Sequence, residues 1–255
     1  MVKGLYTAYT GLANQQNRLD VVTNNLANAT TTGYKKEGTT AQSFDSLMAI
    51  KINDPTSANI NQNIGTMSLG VKIGENYRDY SQGSFKSTSG LYDFALSGSG
   101  LFSIDFTSKT GQESIMYTRD GSFQMAQDGS LVTKDGDFVL GQDGPIVLPT
   151  NATISVDETG GIYADGQYID KFAITDFEDN NYLEQYGENM YRAVDGATKK
   201  DATATVMQKY LEMSNVNVVS EMVQMITISR SFESSQKVMN SIDETLQKAV
   251  TLGQL

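Results

Sequence analysis

The sequence predicts an α+β fold in which long amino- and carboxy-terminal helices pair as a coiled coil and a central, mainly antiparallel β domain lies between them. Leucines recur every seven residues near the start, and apolar residues recur at the same interval near the end. Between these segments, short alternating runs are separated by turns that contain glycine. A narrow apolar stripe on a long helix needs a partner helix. The termini are therefore expected to pair with each other or with neighbouring copies of the chain.

The amino-terminal helix is predicted from residue 4 to about residue 28, within a helical core segment at residues 1–33. Its stripe consists of Leu5, Leu12, Leu19 and Leu26, with polar residues between them. The run at residues 30–33, three threonines followed by a glycine, is expected to stop the helix. β-Branched residues disfavour helix, and glycine tolerates the left-handed cap conformation.

The carboxy-terminal segment, residues 206–255, is predicted to complete this discontinuous helical core domain, with helix from about residue 215 to residue 251. Asn217 is a suitable N-cap, Glu221 suits the positive end of the helix dipole, and Gly253 is expected to close the helix. The apolar stripe lies at Met225, Ile228, Phe232, Met239, Ile242 and Leu246. Such a helix depends on packing for its stability.

The middle of the chain divides into two predicted parts. Residues 34–75 are expected to form an extended linker region with a short helix at residues 44–50. Residues 76–205 are expected to form the β domain, because strand-length runs, among them residues 145–148, alternate there with dipeptides that favour tight hairpin turns. These dipeptides are Asp120-Gly121, Asp128-Gly129, Asp135-Gly136, Asp143-Gly144 and Asp165-Gly166.

Composition argues against catalysis and against binding of nucleic acid. The chain has a formal net charge of −11, which would repel nucleic acid, and contains no histidine and no cysteine. The run at residues 98–103 is close to a dinucleotide-binding loop, but a strand-like pattern follows it where that loop requires a helix. The Asp-Gly repeats lack the glutamate that ends a calcium loop. We therefore predict no enzyme activity, no cofactor, no metal and no small-molecule substrate.

Residues 24–36, read as NNLANATTTGYKK, resemble the motif of the axial proteins of the bacterial flagellum, the rod and hook family. Two further blocks agree with this family: residues 117–123, continuing through residue 141, and residues 211–217, continuing through residue 230. The usual proline of the motif is replaced by Thr32. The length is similar to that of a distal or proximal rod protein.

The resemblance implies a structural subunit that polymerises into the flagellar basal-body rod and transmits torque from motor to hook. Its partners would be other copies, neighbouring rod and hook proteins and the flagellar type III export apparatus. It would lie in the basal body, in the periplasm or cell-wall region, exported without a cleaved signal peptide. The alternative is an export-dependent adaptor or cap protein that binds flagellar partners through its terminal helices.

Two sets of residues are predicted to carry this function. The self-assembly seam is assigned to Leu5, Leu12, Leu19, Leu26, Met225, Ile228, Phe232, Met239, Ile242 and Leu246. The family motif is expected to shape the exit from the first helix, with asparagines that bond backbone groups and a glycine at positive φ. These motif residues are Asn24, Asn25, Asn28, Gly33 and Tyr34.

Overall fold

The computed structural model describes residues 2–44, 47–51, 62–68, 70–107, 113–150, 152–187 and 189–253. Within them, two α-helices flank twenty strands and one short 3-10 helix at Asn180–Tyr182. The helices are α1 (Val2–Ala27) and α2 (Val218–Leu252). The strands are β1 (Glu37–Ser43), β2 (Leu47–Lys51), β3 (Gln62–Met67), β4 (Val71–Arg78), β5 (Phe85–Ser87), β6 (Phe94–Ser97), β7 (Leu101–Thr107), β8 (Glu113–Thr118), β9 (Gln124–Met125), β10 (Leu131–Val132), β11 (Phe138–Val139), β12 (Ile154–Val156), β13 (Gly161–Ala164), β14 (Gln167–Lys171), β15 (Ile174–Phe177), β16 (Leu183–Tyr186), β17 (Met190–Ala193), β18 (Lys199–Asp201), β19 (Thr205–Gln208) and β20 (Tyr210–Glu212).

The observed elements confirm the α+β class with mainly antiparallel strands. The chain forms two compact units, which we call the helical unit and the β unit. The helical unit comprises residues 1–26, 37–78 and 217–255, and the β unit comprises residues 27–36 and 79–216. The predicted domain limits stay a prediction, although β19 and β20 extend past residue 205.

Among the described residues, neither helix combines the length and apolarity needed to cross a membrane.

In the helical unit, α2 begins and ends where its capping residues predict. Asn217 has an extended backbone, and its side chain accepts a hydrogen bond from the Ser220 amide. At the other end, the Gly253 amide donates to the carbonyl oxygens of the last turn. Helix α1 ends at Ala27, just before the threonines that were expected to stop it.

The region predicted as an extended linker forms two antiparallel ribbons in the helical unit. Strand β1 pairs with β4, and β2 pairs with β3. The short helix predicted at residues 44–50 is therefore wrong, because residues 47–51 form β2. Pairing with a distant strand outweighs a weak local preference for helix. Residues 52–61 of the predicted linker lie outside the described part of the chain.

In the β unit, the described strands build a nine-stranded antiparallel sheet, a three-stranded sheet (β12–β13–β14) and the pairs β6–β19 and β5–β20. A core of buried apolar side chains is centred on Phe94, Phe102, Phe123 and Phe172, whose rings meet mostly edge to face. A second, smaller cluster contains Leu101, Tyr117, Phe177, Leu183 and Tyr191.

Four of the five Asp-Gly dipeptides lie at turns or bends between paired segments, as predicted, whereas Asp120-Gly121 follows β8 without joining two paired strands. Asp165 and Gly166 have φ of 50° and 83°, so they form a two-residue turn with two positive φ angles between β13 and β14.

A strand was also predicted at residues 145–148. The chain makes only isolated bridges there, from Pro145 to Leu140 and from Val147 to Ser130, because the segment changes its pairing partner within three residues.

Candidate functional site

Asn25, in the last turns of α1, joins that helix to the first strand of the helical unit. Its Nδ2 donates to the Glu37 carbonyl at 2.8 Å, and its Oδ1 accepts from the Glu37 amide at 2.9 Å. The same Nδ2 makes a long hydrogen bond of 3.5 Å to Oε2 of Glu221 in the first turn of α2. Asn25 and Glu221 are both buried. Asn25 therefore connects three segments that are far apart in the sequence.

The rest of the motif forms a tight loop in the β unit. The Asn28 carbonyl accepts from the Thr31 amide at 3.2 Å, and Asn28 Oδ1 accepts from the Thr31 hydroxyl at 3.2 Å. Gly33 has φ of +70°, and a Cβ atom there would lie 2.5 Å from the Asp120 amide nitrogen. The positive φ predicted for Gly33 is confirmed, and close packing is a second reason for glycine. Tyr34 is buried beside it.

A buried cluster of three charged residues lies directly after this loop, in the β unit. Glu212 Oε1 accepts from Lys35 Nζ at 2.7 Å and from the Gly83 amide at 2.9 Å, and its Oε2 accepts from Arg119 Nε at 2.6 Å. The side chains of Lys35, Arg119 and Glu212 are 3%, 5% and 1% exposed. We call this set the buried triad.

The remaining donors of the buried triad are satisfied by backbone carbonyls. Lys35 Nζ also donates to the Ser81 carbonyl at 2.8 Å. The Arg119 guanidinium donates to the carbonyls of Leu96 at 2.8 Å and of Gly98 at 2.5 Å, and also to that of Gly100. Buried charges are tolerated only when they are paired and hydrogen-bonded in this way.

Burial and charge act in opposite directions on the titration of the triad. Burial lowers the pKa of Lys35, and the nearby Glu212 carboxylate only partly offsets this. Burial opposes ionisation of Glu212, but the charges of Arg119 and Lys35 outweigh it and hold the pKa of the carboxyl below its ordinary value. Glu212 is therefore ionised at neutral pH.

The three sequence blocks behind the family resemblance meet at the buried triad. The first block supplies Lys35, the second supplies Arg119 and the third supplies Glu212. The backbone joins them as well, because the Gly33 amide donates to the Glu212 carbonyl at 2.8 Å. Asn215 of the third block accepts from the Lys36 amide at 2.7 Å. Sequence reasoning named none of the three charges as site residues, although each block contains at least one ionisable side chain.

A cavity of about 620 Å³ in the β unit opens beside the motif loop. Its wall includes Thr30, Thr31 and Thr32, together with Lys134 and Asp120, whose side chains form an ion pair at 3.8 Å. The Lys134 side chain is more than half exposed, so this pair contributes little energy. The cavity therefore offers mainly polar contacts near the motif loop.

The predicted seam residues all occupy the less exposed side of their helices. On α2, Ile228 is buried, and Met225, Phe232, Met239, Ile242 and Leu246 are partly buried. On α1, Leu5, Leu12, Leu19 and Leu26 are all partly buried, and Val22 is buried. Sequence reasoning did not include Glu221 in the seam. Glu221 continues the apolar stripe one turn before Met225, but a charged residue does not match an apolar pattern.

Comparison with known families matches three stretches of the chain. The model described as "Flagella basal body rod protein" matches residues 5–35. The model described as "Flagellar hook protein FlgE/F/G D1 domain" matches residues 95–164. The model described as "Flagellar basal body rod FlgEFG protein C-terminal" matches residues 207–252. The matches contain, in order, Lys35, Arg119 and Glu212.

Individual relatives are similar over almost their whole length. Flagellar basal-body rod protein FlgG of Bacillus subtilis (strain 168) is 34% identical over 268 residues, covering 99% of each chain. FlgG of Buchnera aphidicola (subspecies Acyrthosiphon pisum) is 31% identical, covering 97% of this chain and 98% of the relative. FlgG of Caulobacter vibrioides is 32% identical, covering 96% of this chain and 97% of the relative. The chain belongs to the family of flagellar basal-body rod proteins.

Proposed function

We propose that this protein is a structural subunit that polymerises into the flagellar basal-body rod and transmits torque from motor to hook, without enzymatic activity. The observation that carries the proposal is the similarity to rod proteins over 96% to 99% of the chain. The buried triad supports it, because interactions that join three distant segments suit a subunit that must keep its shape under load.

The pairing of α1 with α2 as an antiparallel coiled coil is the second part of the proposal. Glu221 lies 3.5 Å from Asn25, and Ile242 Cδ1 would lie 3.7 Å from a Cβ atom on Gly4. The interval from residue 4 to residue 25 equals that from residue 221 to residue 242, and both are three heptads. Two helices that touch at both ends of such an interval run side by side for about 31 Å.

We assign the self-assembly seam of the rod to this helical pair, at the residues predicted from the sequence. The half-buried leucines of α1 and the stripe of α2 support the assignment. Beyond the seam, α2 leaves Val219, Val223 and Ile226 more than half exposed. Exposed apolar side chains at helical spacing are a common feature of surfaces that contact other protein chains. We assign this exposed surface of α2 to contacts with further copies of this chain, which the assembly of a rod requires.

The location and route of the subunit follow from the same family membership. We propose that it lies in the basal body, in the periplasm or cell-wall region, and arrives there through the flagellar type III export apparatus without a cleaved signal peptide. Neighbouring rod and hook proteins are its further partners. A distal or proximal position within the rod agrees with its length and with its similarity to FlgG proteins.

Quantitative mass spectrometry of purified hook–basal bodies tests the structural role. We expect this chain in a constant ratio to the hook protein, retained after washes that remove loosely bound proteins. An adaptor or cap that acts transiently would be absent or would occur in variable amounts. Absence from the particle would overturn the proposal of a rod subunit.

A charge placed in the seam tests the assembly role directly. Leu19→Asp puts a carboxylate into the apolar stripe of α1, so we expect loss of incorporation into basal bodies and loss of motility. Gln16→Asp introduces the same charge on the exposed side of the same helix, where it loses only an exposed hydrogen bond to Asp20, so it should still assemble. Normal flagella with Leu19→Asp would refute the assigned seam.

A further inference from the structure

The leucine and apolar stripes do not by themselves determine how α1 and α2 are aligned. Both stripes repeat every seven residues, so a slip of one heptad again places apolar positions against apolar positions. Counted from the contacts of Asn25 with Glu221 and of Gly4 with Ile242, Leu19 falls within one residue of the level of Ile228, and Leu5 falls within one residue of the level of Ile242. After a slip of one heptad, Leu12 would lie level with Ile228, which is a contact of similar quality. Polar contacts near the ends of the helices must therefore help to select one alignment.

The buried contact between Asn25 and Glu221 is a seam contact that such a slip would break. Glu221 is 0% exposed and occupies a seam position of α2. In the observed alignment, it faces the end of α1, where Asn25 Nδ2 lies 3.5 Å from its carboxylate. A slip of one heptad in one direction would put the carboxylate against Leu19. A slip in the other direction would carry it past Ala27, where α1 ends.

We propose that Asn25 and Glu221 form a register lock, a buried polar contact that selects the antiparallel alignment of α1 and α2. The inference rests on the proposed pairing of these two helices. Burying a carboxylate against leucine has a high energetic cost, whereas an amide donor reduces this cost. A single buried polar position in an apolar seam commonly specifies register, at some cost in stability.

Two further contacts hold the register lock in place. Two hydrogen bonds to the backbone of Glu37 fix the side chain of Asn25, so its amide group stays in place when α2 slips along α1. The Glu221 amide donates to the Asn217 carbonyl at 3.0 Å, in the first turn of α2. There the helix dipole favours a carboxylate. Asn25 and Glu221 are thus positioning residues that act on the alignment of the seam.

The absence of cysteine from the sequence allows this alignment to be measured directly in the full-length protein. Gly4→Cys combined with Ile242→Cys reports the observed alignment. Gly4→Cys combined with Ser235→Cys reports a slip of one heptad. Each pair is treated with a short bis-maleimide reagent, and the yield of intramolecular cross-link is measured by mass spectrometry.

Without a further substitution, we expect a high cross-link yield for Gly4→Cys with Ile242→Cys and a low yield for Gly4→Cys with Ser235→Cys. Glu221→Leu should raise the ratio of the 235 product to the 242 product on the order of tenfold, because leucine fits against Leu19. Glu221→Gln keeps a hydrogen-bonding partner for Asn25 and should retain the original ratio. Met222→Leu, at the exposed neighbouring position, is the matched control and should not change it.

The two levels of the proposal fail in different ways. If Glu221→Leu leaves the ratio unchanged while the 242 pair still cross-links, the register lock is refuted and the helix pairing stands. If the 242 pair does not cross-link in the unchanged protein, the pairing itself is refuted, and the register lock with it. A loss of helical circular dichroism with no change in ratio would show a role in stability alone and would also refute the lock.

Discussion

Neutralising the carboxylate of the buried triad should destabilise the β unit far more than neutralising an exposed carboxylate that lies at the same 2.6 Å from an arginine. Glu212→Gln keeps the size of the side chain but replaces one oxygen by an NH2 group, which cannot accept a hydrogen bond. Three donors now converge on the Glu212 carboxylate, those of Lys35, Gly83 and Arg119. In the variant, two buried cations would face a neutral amide and one donor would lose its acceptor.

The expected loss is about 3 to 5 kcal/mol of unfolding free energy, the usual cost of removing one partner from a buried ion pair. This is a large share of the roughly 5 to 15 kcal/mol that stabilises a typical domain. The matched control is Glu184→Gln. Glu184 Oε2 lies 2.6 Å from Arg192 Nη2, but both side chains are more than half exposed. An exposed pair contributes about 1 kcal/mol or less.

Urea unfolding followed by near-ultraviolet circular dichroism is the appropriate assay. The chain has 13 tyrosines and no tryptophan, and Tyr117 and Tyr191 are buried in the β unit, so the signal reports packing there. We expect a lower urea midpoint for Glu212→Gln and an almost unchanged midpoint for Glu184→Gln. A loss below about 1 kcal/mol for Glu212→Gln would refute the reasoning that the triad must remain charged and paired.

Two remaining predictions concern pH and the motif loop. Because the pKa of Glu212 is lower in the folded protein than its ordinary value of 4.5, the stability it contributes is present above that pH and is lost as the pH falls through the folded pKa. The difference in stability between the original protein and Glu212→Gln should therefore shrink in acid, as urea titrations at several pH values would show; a constant difference would contradict it. Gly33→Ala should cost roughly 1 to 3 kcal/mol, because φ is +70° and the added Cβ would lie 2.5 Å from the Asp120 amide nitrogen. Gly136→Ala, also at positive φ but with no atom within 4 Å of the added Cβ, separates the steric part of that loss; equal losses would show that crowding contributes nothing.

Local sequence patterns were sufficient for the elements whose signals are short-range. The heptads predicted both terminal helices, and Asn217 and Gly253 marked the ends of α2. Four of the five Asp-Gly dipeptides marked turns or bends in the β unit, and the motif glycine predicted the positive φ of Gly33. In each case the determining interaction joins residues that are close in the sequence, so the local sequence is enough to predict it.

Elements that depend on distant pairing were predicted less well. Residues 47–51 form a strand rather than a helix because they pair with β3, and such pairing leaves little trace in local periodicity. The predicted strand at residues 145–148 is reduced to isolated bridges, because this segment pairs first with Leu140 and then with Ser130. Strand length at that point depends on which neighbours the chain meets in three dimensions.

The sequence by itself determined the class of the fold, the two apolar stripes and the membership in the rod family suggested by three separated blocks. Only the tertiary structure showed why those blocks share one site: Lys35, Arg119 and Glu212 meet in the interior of the β unit. Likewise, Glu221 reads as an ordinary charge in the first turn of a helix until the structure shows it buried beside Asn25. A charge has no periodic signature that reveals burial, because the energy of burying it depends on partners that the fold brings from distant parts of the chain.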